Sequence, residues 1–370
     1  MNNELVHTPE GVRDIYGKEY YEREHIEKMV HDAVKSFGYS DITTPTFEFF
    51  DLFAKELSAT SAKELYKFFD NEGNTLVLRP DFTPSVARCV SKYFLEDDKP
   101  IRLCYKGKAF TNKRRLQGKL RESMQMGAEL MNDDSVYADA EMIAALVEAL
   151  LKSGLNEFQV SIGDADYFKG ICEEAGISDS VIDEIREQII VKNYFGAEKI
   201  MTDNGISKKY IDQILKFSEF IGSEDALDFA GHQVQNKRSL LAIERLKDIY
   251  RVFGLYGISK YVSFDLGMLS NFNYYTGMIF KAYTYGVGDA IATGGRYDNL
   301  LEKFGKNAPA VGFMVNIDDL MSALSSQNIE IESAPKPILI TYLGDDDFGS
   351  ALNIAKDLRA KGNAVILEKA

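Results

Sequence analysis

Residues able to hold a transition metal or carry redox chemistry are scarce in this chain, and those present are scattered. The cysteines are Cys89, Cys104 and Cys172, and the histidines are His7, His25, His31 and His232. No CxxC, HExxH or Cys/His cluster occurs, so no zinc or thiol redox centre is expected and no metal ligand is assigned. Thiols in apolar or mixed surroundings read as core residues of a protein kept reduced, which points to the cytoplasm. Long apolar runs are also missing. No window approaches the roughly 18 uninterrupted apolar residues of a membrane span, and MNNELVHTPEGVRDIYG lacks the basic-then-apolar pattern of a secretory leader. Neither nucleotide fingerprint appears: there is no G-x-x-x-x-G-K-[ST], and no G-x-G-x-x-G that follows a strand and opens a helix. Basic residues are in deficit, 43 Lys and Arg against 57 Asp and Glu, a net charge of −14. That balance disfavours nucleic acid, whose binding rests on neutralising phosphates. A tRNA partner is therefore not expected, although KRRLQGKLR at Lys113–Arg121 is a local basic run.

What the chain does have is material for a core, 45% hydrophobic residues over 370 positions, enough for more than one domain. Its most informative stretch is Glu122–Leu130, which alternates as a strand should. Met124, Met126, Ala128 and Leu130 then share one face, and Gln125, Gly127 and Glu129 the other. A glycine between an amide and a carboxylate leaves room above the sheet. Three polar segments are candidates to complete a site there: Arg79–Thr83, Tyr274–Gly277 and Gly294–Asp298. A small zwitterion with an NH-bearing ring suits this mixture of acceptors and hydroxyls. The alternative reading is a set of satisfied structural groups, with Arg79 paired to Asp81 and Tyr274 in the core.

Along the chain, helices are expected over Glu19–Phe37, from Thr83–Pro84 with a threonine cap to about Leu95, and from a Ser135 cap to Leu151. Strands are expected at Asp41–Phe50, Leu76–Arg79, Ile101–Phe110, Phe158–Gly163, Tyr261–Leu266, Tyr274–Tyr285 and Pro309–Val315, with ATGGRYDNL a glycine turn into a helix. Strands and helices in no βαβ rhythm give an α+β core domain over 1–332, with a helical insertion at about 167–256. Beyond a proline-marked linker, 336–370 reads strand–helix–strand.

LRPDFT (Leu78–Thr83), YKGKAF…GKLRESMQMGAEL, NYYTGMIF and GGRYDNL, in this order and spacing, resemble the class II histidyl-tRNA synthetase family, as does TPEGVRDI at Thr8–Ile15. The likeness spans about residues 8–325. It implies the class II synthetase fold, a mainly antiparallel sheet with flanking helices and an inserted helical subdomain, dimerising through its N-terminal third. It also places Asp81 (usually Glu in the family), Thr83 and Gln125 where the ammonium of histidine is bound. Glu129 and Tyr275 fall where the imidazole is gripped, with Tyr274 beside them.

The family's ATP-binding residues are not matched. Phe110-Thr111-Asn112-Lys113 stands where the synthetases have Phe-Arg-x-Glu, Ser270 replaces a second arginine, and Asp319 replaces a third. Adenylation depends on positioning and on cations at the phosphates, and one such arginine is worth roughly 10³–10⁵ in rate. No catalytic residue is therefore assigned and no cofactor is expected. A chain that keeps the histidine-binding residues while those for ATP are replaced resembles the regulatory subunits of ATP phosphoribosyltransferase, a family of synthetase paralogues. This implies a non-catalytic, cytoplasmic subunit in a hetero-oligomer with the short-form catalytic subunit. It would be needed for that subunit's activity and would sense L-histidine for feedback inhibition in the first step of histidine biosynthesis. With Ser270 in place of arginine, the ligand carboxylate needs a new partner, for which Arg121, Arg296 and backbone amides are candidates. The segment 336–370 resembles a truncated anticodon-binding domain. The competing readings are a divergent histidyl-tRNA synthetase and a stand-alone paralogue with another activity.

Overall fold

The structure, a computed structural model, describes residues 6–54, 61–112, 120–216, 220–270 and 274–370. It divides into two compact units. One holds Ile26–Glu330 with the segment before Ile15, and the other holds Ile15–His25 with Ile331–Ala370. No helix among the described residues is long and apolar enough to cross a membrane.

The chain opens with α1 (Gly17–Lys35), β1 (Ser40–Asp41), β2 (Phe47–Phe49), α2 (Phe50–Ala54), β3 (Lys67–Phe69), β4 (Thr75–Leu78) and α3 (Thr83–Tyr93). The long pair β5 (Ile101–Phe110) and β6 (Glu122–Met131) precedes α4 (Val136–Lys152) and β7 (Gln159–Asp164). An insertion follows, made of α5 (Ala165–Glu174), α6 (Asp179–Ile190), α7 (Tyr194–Asp203), α8 (Lys208–Lys216), β8 (Ile221–Gly222), α9 (Glu224–His232) and α10 (Lys237–Tyr256). The sheet is completed by β9 (Val262–Asp265), β10 (Met278–Tyr283), β11 (Ala292–Arg296) and β12 (Ala310–Asn316), before α11 (Ile317–Ser326). The second unit carries β13 (Ile338–Tyr342), α12 (Asp345–Ala360) and β14 (Val365–Lys369), with the two strands paired in parallel.

Nine strands form the main sheet in the order β1-β5-β6-β12-β11-β10-β7-β9-β8. Within it, β1 with β5 and β7 with β9 pair in parallel, while the central ladders are antiparallel. A separate small sheet has the order β2-β4-β3. The expected alternation in β6 holds: Met126, Ala128 and Leu130 are at most 3% exposed on the apolar face, while Met124 near the strand's start is half-buried.

Several expectations need correction. The insertion is not wholly helical, because β8 adds an edge strand to the main sheet through β9. The stretch expected as one strand over Asp41–Phe50 is split between β1 and β2, which belong to different sheets. The glycines of ATGGRYDNL lie inside β11 rather than in a turn, because Phe280 and Tyr275 fill the space where their side chains would stand. The strand expected from Tyr274 begins at Met278; before it, the Thr276 amide bonds to the Arg296 carbonyl (2.8 Å) and shapes a loop. Thr83 does not cap α3. It is the first helical residue, and its hydroxyl is used elsewhere. Ser135 does cap α4, accepting from the Ala138 amide at 3.2 Å.

A buried ionic cluster joins the insertion to the sheet. Asp139 of α4, with no exposed surface, accepts from Arg296 Nε at 2.8 Å and Arg245 Nε at 2.8 Å. Arg296 also reaches the Asp133 carbonyl and Asp298 (3.0 Å). Burial pushes the Asp139 pKa up, opposed by the two guanidinium groups. Removing one member leaves buried charge uncompensated, so Asp139→Ala is expected to cost about 3–5 kcal/mol of unfolding free energy in a urea titration. A loss under about 1 kcal/mol would mean that the cluster is not a structural tie.

Candidate functional site

Register across the middle of the sheet decides which side chains meet. Gln125 pairs with Asn316, Gly127 with Met314 and Glu129 with Gly312. Gly312 in turn pairs with Gly295, and Met314 with Thr293. Paired residues share a face, so all of these lie on the side that α3 covers through Thr83.

Glu129 is 1% exposed and lies across Gly312, where any Cβ would collide with its carboxylate. Thr83 Oγ1 donates to Glu129 Oε1 at 2.8 Å, and the Tyr297 hydroxyl donates to Oε2. Burial drives the Glu129 carboxyl up to about 8, against the pull of these hydroxyls and with the Asp81 charge adding to the rise. Asp81 is 8% exposed; Oδ1 accepts from the Phe82 amide (2.8 Å) and Oδ2 from the Tyr274 hydroxyl (3.1 Å). Its pKa is raised by burial. The Tyr275 ring lies against Gly295, and its centroid is 4.8 Å from that of Tyr274.

These residues border a narrow cleft lined by Asp81, Thr83, Gln125, Tyr274, Tyr275 and Tyr297, with Pro80, Thr293, Gly312, Phe313 and Met314. About 40 Å³ of it is open to a water-sized molecule, so an amino acid entering must displace a side chain. Half-buried Tyr275 is the best placed to move. Among the described residues no lysine or arginine lines it. Gln125 Oε1 is buried without a hydrogen-bond partner. An acceptor left in that condition is costly unless a ligand supplies a donor.

The cleft thus gathers Asp81, Thr83, Gln125, Tyr274 and Tyr275, with Glu129 directly beneath through Thr83 and Tyr297. It does not gather Arg121 or Arg296. The alternation that turns Gly295 to the cleft turns Arg296 to the opposite face, where Asp139 and Asp298 take its donors. Arg121 packs its stem on Gly11 and pairs with Glu10 at 3.6 Å. Arg79 does not pair with Asp81; it donates to the carbonyls of Thr44 (2.8 Å), Pro45 (3.1 Å) and Lys108 (2.9 Å). The space above Gly127 is not open, because the tip of Tyr105 occupies it. That ring stacks on Phe82 with centroids 4.3 Å apart. Its hydroxyl lies beside Thr83 and Glu129 yet closes no hydrogen bond of good geometry. Tyr105 is not among the expected site residues, and Tyr297 is expected only as part of the candidate segment Gly294–Asp298. Tyr297 is legible in the sequence only as one alternation beyond Gly295, and Tyr105 only as the cross-strand partner of Gly127.

Of the positions that face ATP in the synthetases, Thr111 follows β5 with its amide on the Arg121 carbonyl (2.9 Å), and the Asp319 amide faces Asn316 Oδ1 at the start of α11 (3.4 Å). Lys113 and the rest of the basic run through Lys119 lie outside the described residues. Elsewhere, His31, Asp41 and Cys104 bring ligand-type atoms within 4.8 Å of one another. His31 and Lys35 hold the Asp41 carboxylate down to about 2, and burial lifts the Cys104 thiol to about 12. An ion pair beside a protonated thiol accounts for that cluster. A larger hollow, about 370 Å³, is lined by Phe220, Ile221, Ser223, Asp225 and Phe229 in the insertion.

A long, mainly antiparallel sheet flanked by helices, with the Glu129 carboxyl buried against cross-strand Gly312, defines a class II synthetase-like protein. A family profile described as Histidyl-tRNA synthetase matches residues 11–320. The chain is 38% identical to an ATP phosphoribosyltransferase regulatory subunit of Acetivibrio thermocellus, over 97% of this chain and 86% of that one. It is 39% identical to the protein of the same name from Ruminiclostridium cellulolyticum, over 97% and 85%. A crystal structure described as an ATP phosphoribosyltransferase regulatory subunit/histidyl-tRNA synthetase from Bacillus halodurans superposes with a TM-score of 0.88 at 32% identity, covering 99% of this chain and 93% of that one. The chain belongs to the ATP phosphoribosyltransferase regulatory subunits, within the histidyl-tRNA synthetase family.

Glu129 also sets a pH dependence. Between the ordinary carboxyl value of 4.5 and about 8 the native state keeps a proton that the unfolded chain releases, so stability falls as pH rises through that window. Chemical denaturation between pH 5 and 8 should show a slope of up to about 1.4 kcal/mol per pH unit from this group. Glu129→Gln should make the slope shallower, and an unchanged slope would show that Glu129 is ionised in the free protein.

Proposed function

We propose that this chain is a non-catalytic partner of the short-form ATP phosphoribosyltransferase catalytic subunit and that its cleft binds L-histidine as the feedback signal. The observation that carries the reading is the cleft's charge inventory. Its ionisable groups are the carboxyls of Asp81 and, beneath, Glu129, and among the described residues Gln125 Oε1 has no donor. Such a site asks for a ligand that brings N–H groups and positive charge. Asp81 and Gln125 would accept from an ammonium, and Glu129, with Tyr297, would meet an imidazole.

Adenylation of histidine is disfavoured by the same inventory. Among the described residues no cation lines the cleft wall for a triphosphate, and Thr111, Ser270 and Asp319 stand where the synthetases have arginine. This chemistry supports a sensor over a divergent synthetase. Regulation then follows from linkage. Histidine shifts the assembly toward whichever conformation it binds better, and a coupling of about 1–3 kcal/mol gives 5–150-fold modulation.

The core is also proposed to dimerise. In the small sheet Phe47, Phe49 and Phe68 share one face by register and are 53%, 59% and 37% exposed. An apolar sheet face of this kind is a candidate for burial against a second copy.

Calorimetry with L-histidine and with ATP tests the cleft. Histidine heat that vanishes in Glu129→Ala, with none for ATP, is expected, and adenylate formation from ATP would overturn the reading. Mixing the chain with a short-form catalytic subunit should raise phosphoribosyl transfer and make it histidine-sensitive. Phe49→Asp should halve the mass seen by light scattering without loss of far-UV circular dichroism, and an unchanged mass would remove this face from the interface.

A further inference from the structure

The cleft face of the sheet continues past its wall. Thr293, which lines the cleft, pairs with Lys281 of β10; Lys281 pairs with Ser161 of β7, and Ser161 with Ser263 of β9. All four side chains lie on one face and are half-buried, forming a polar row that begins at the cleft and runs toward the insertion. Directly paired residues have Cβ atoms about 4.5–5.5 Å apart, so the stem of Lys281 starts one strand from the cleft.

Lys281 is weakly committed where it stands. Among the described residues its ammonium donates one bond, at 3.5 Å, to the Leu269 carbonyl. Asp265, on the same face, is the acidic group near it, but its Oδ1 accepts from the Gly267 amide at 3.0 Å, and the charge of Lys192 bears on both Asp265 and Lys281. One carboxylate between two ammonium groups leaves a surplus of positive charge. Inside the cleft the balance is reversed, since the Asp81 carboxyl and Gln125 Oε1 offer acceptors to the donor end of a ligand. A zwitterion lying across both regions would have its ammonium at Asp81 and its anionic end toward Thr293.

We propose that Lys281 and Thr293 form an anion subsite at the rim of the cleft, taking the α-carboxylate of the bound amino acid. This rests on the histidine reading above and supplies the carboxylate partner that Arg121 and Arg296 do not provide. The four-carbon stem lets the ammonium leave the Leu269 carbonyl for a carboxylate, a stronger charge-assisted acceptor. The Thr293 hydroxyl donates the second bond. An anion of another source, a phosphate, has the same chemistry and is separated by experiment.

Calorimetry on the full chain compares L-histidine, histamine (the same imidazole and ammonium, no carboxylate) and inorganic phosphate against wild type, Lys281→Met and Lys281→Arg. Wild type should prefer histidine to histamine by on the order of tenfold or more. Lys281→Met should abolish the preference while keeping histamine affinity, which also reports an intact fold, and Lys281→Arg should restore it. A preference unchanged in Lys281→Met overturns the subsite and leaves the histidine reading standing. Phosphate binding that depends on Lys281, with neither amine bound, overturns the histidine reading and makes the subsite one for phosphate. Binding of none of the three overturns both.

Discussion

A carboxyl buried at the centre of a sheet, with hydroxyls rather than cations as its hydrogen-bond partners, sets the terms for everything around it. Glu129 can lie flat only because Gly312 has no side chain, and it is tolerated only because two hydroxyls reach it. Thr83 serves it instead of capping α3, so that helix starts without a side-chain cap. Tyr297 must leave β11 on the cleft side, which fixes Gly295 on that side and sends Arg296 to the other. Local preferences are overridden here in favour of satisfying one acid.

That alternation has an energetic counterpart on the opposite face. Arg296 is locked to Asp139, and through it to Arg245 of the insertion's last helix. Its own carbonyl holds the Thr276 amide, and the Asp298 amide bonds Thr276 Oγ1 at 3.0 Å. The loop carrying Tyr274 and Tyr275 is therefore hung from the end of a strand whose Arg296 is anchored on Asp139 of α4, the carboxylate that Arg245 of the insertion also holds. A shift of Tyr275 on ligand entry would be felt along this chain of bonds, a continuous physical route between cleft and insertion.

Much of this is legible in the sequence. The alternation in Glu122–Leu130 and its long partner strand mark the two central strands, and the order of the family segments marks the fold. Asp81, Gln125 and Tyr274 stand out by residue type and do line the cleft. What stays hidden has a common cause. Gly127 suggests open room and Gly294 and Gly295 a turn, but each is a place where another side chain or backbone carbonyl comes close, and the identity of that visitor is a long-range fact. The fates of Arg79 and Arg296 are likewise hidden, since carbonyl partners leave no mark in sequence and the face of a residue is known only once register is.

The tyrosines gathered around these acids have an optical consequence. The chain has 20 tyrosines and no tryptophan, so tyrosine emission is not drained by energy transfer to an indole. Tyr297 donates to the Glu129 carboxyl, which burial lifts to about 8, and a phenol bonded to a carboxylate emits less than one bonded to a neutral acid. The protein's own ultraviolet fluorescence therefore carries a record of the charge state of the cleft, with no added label.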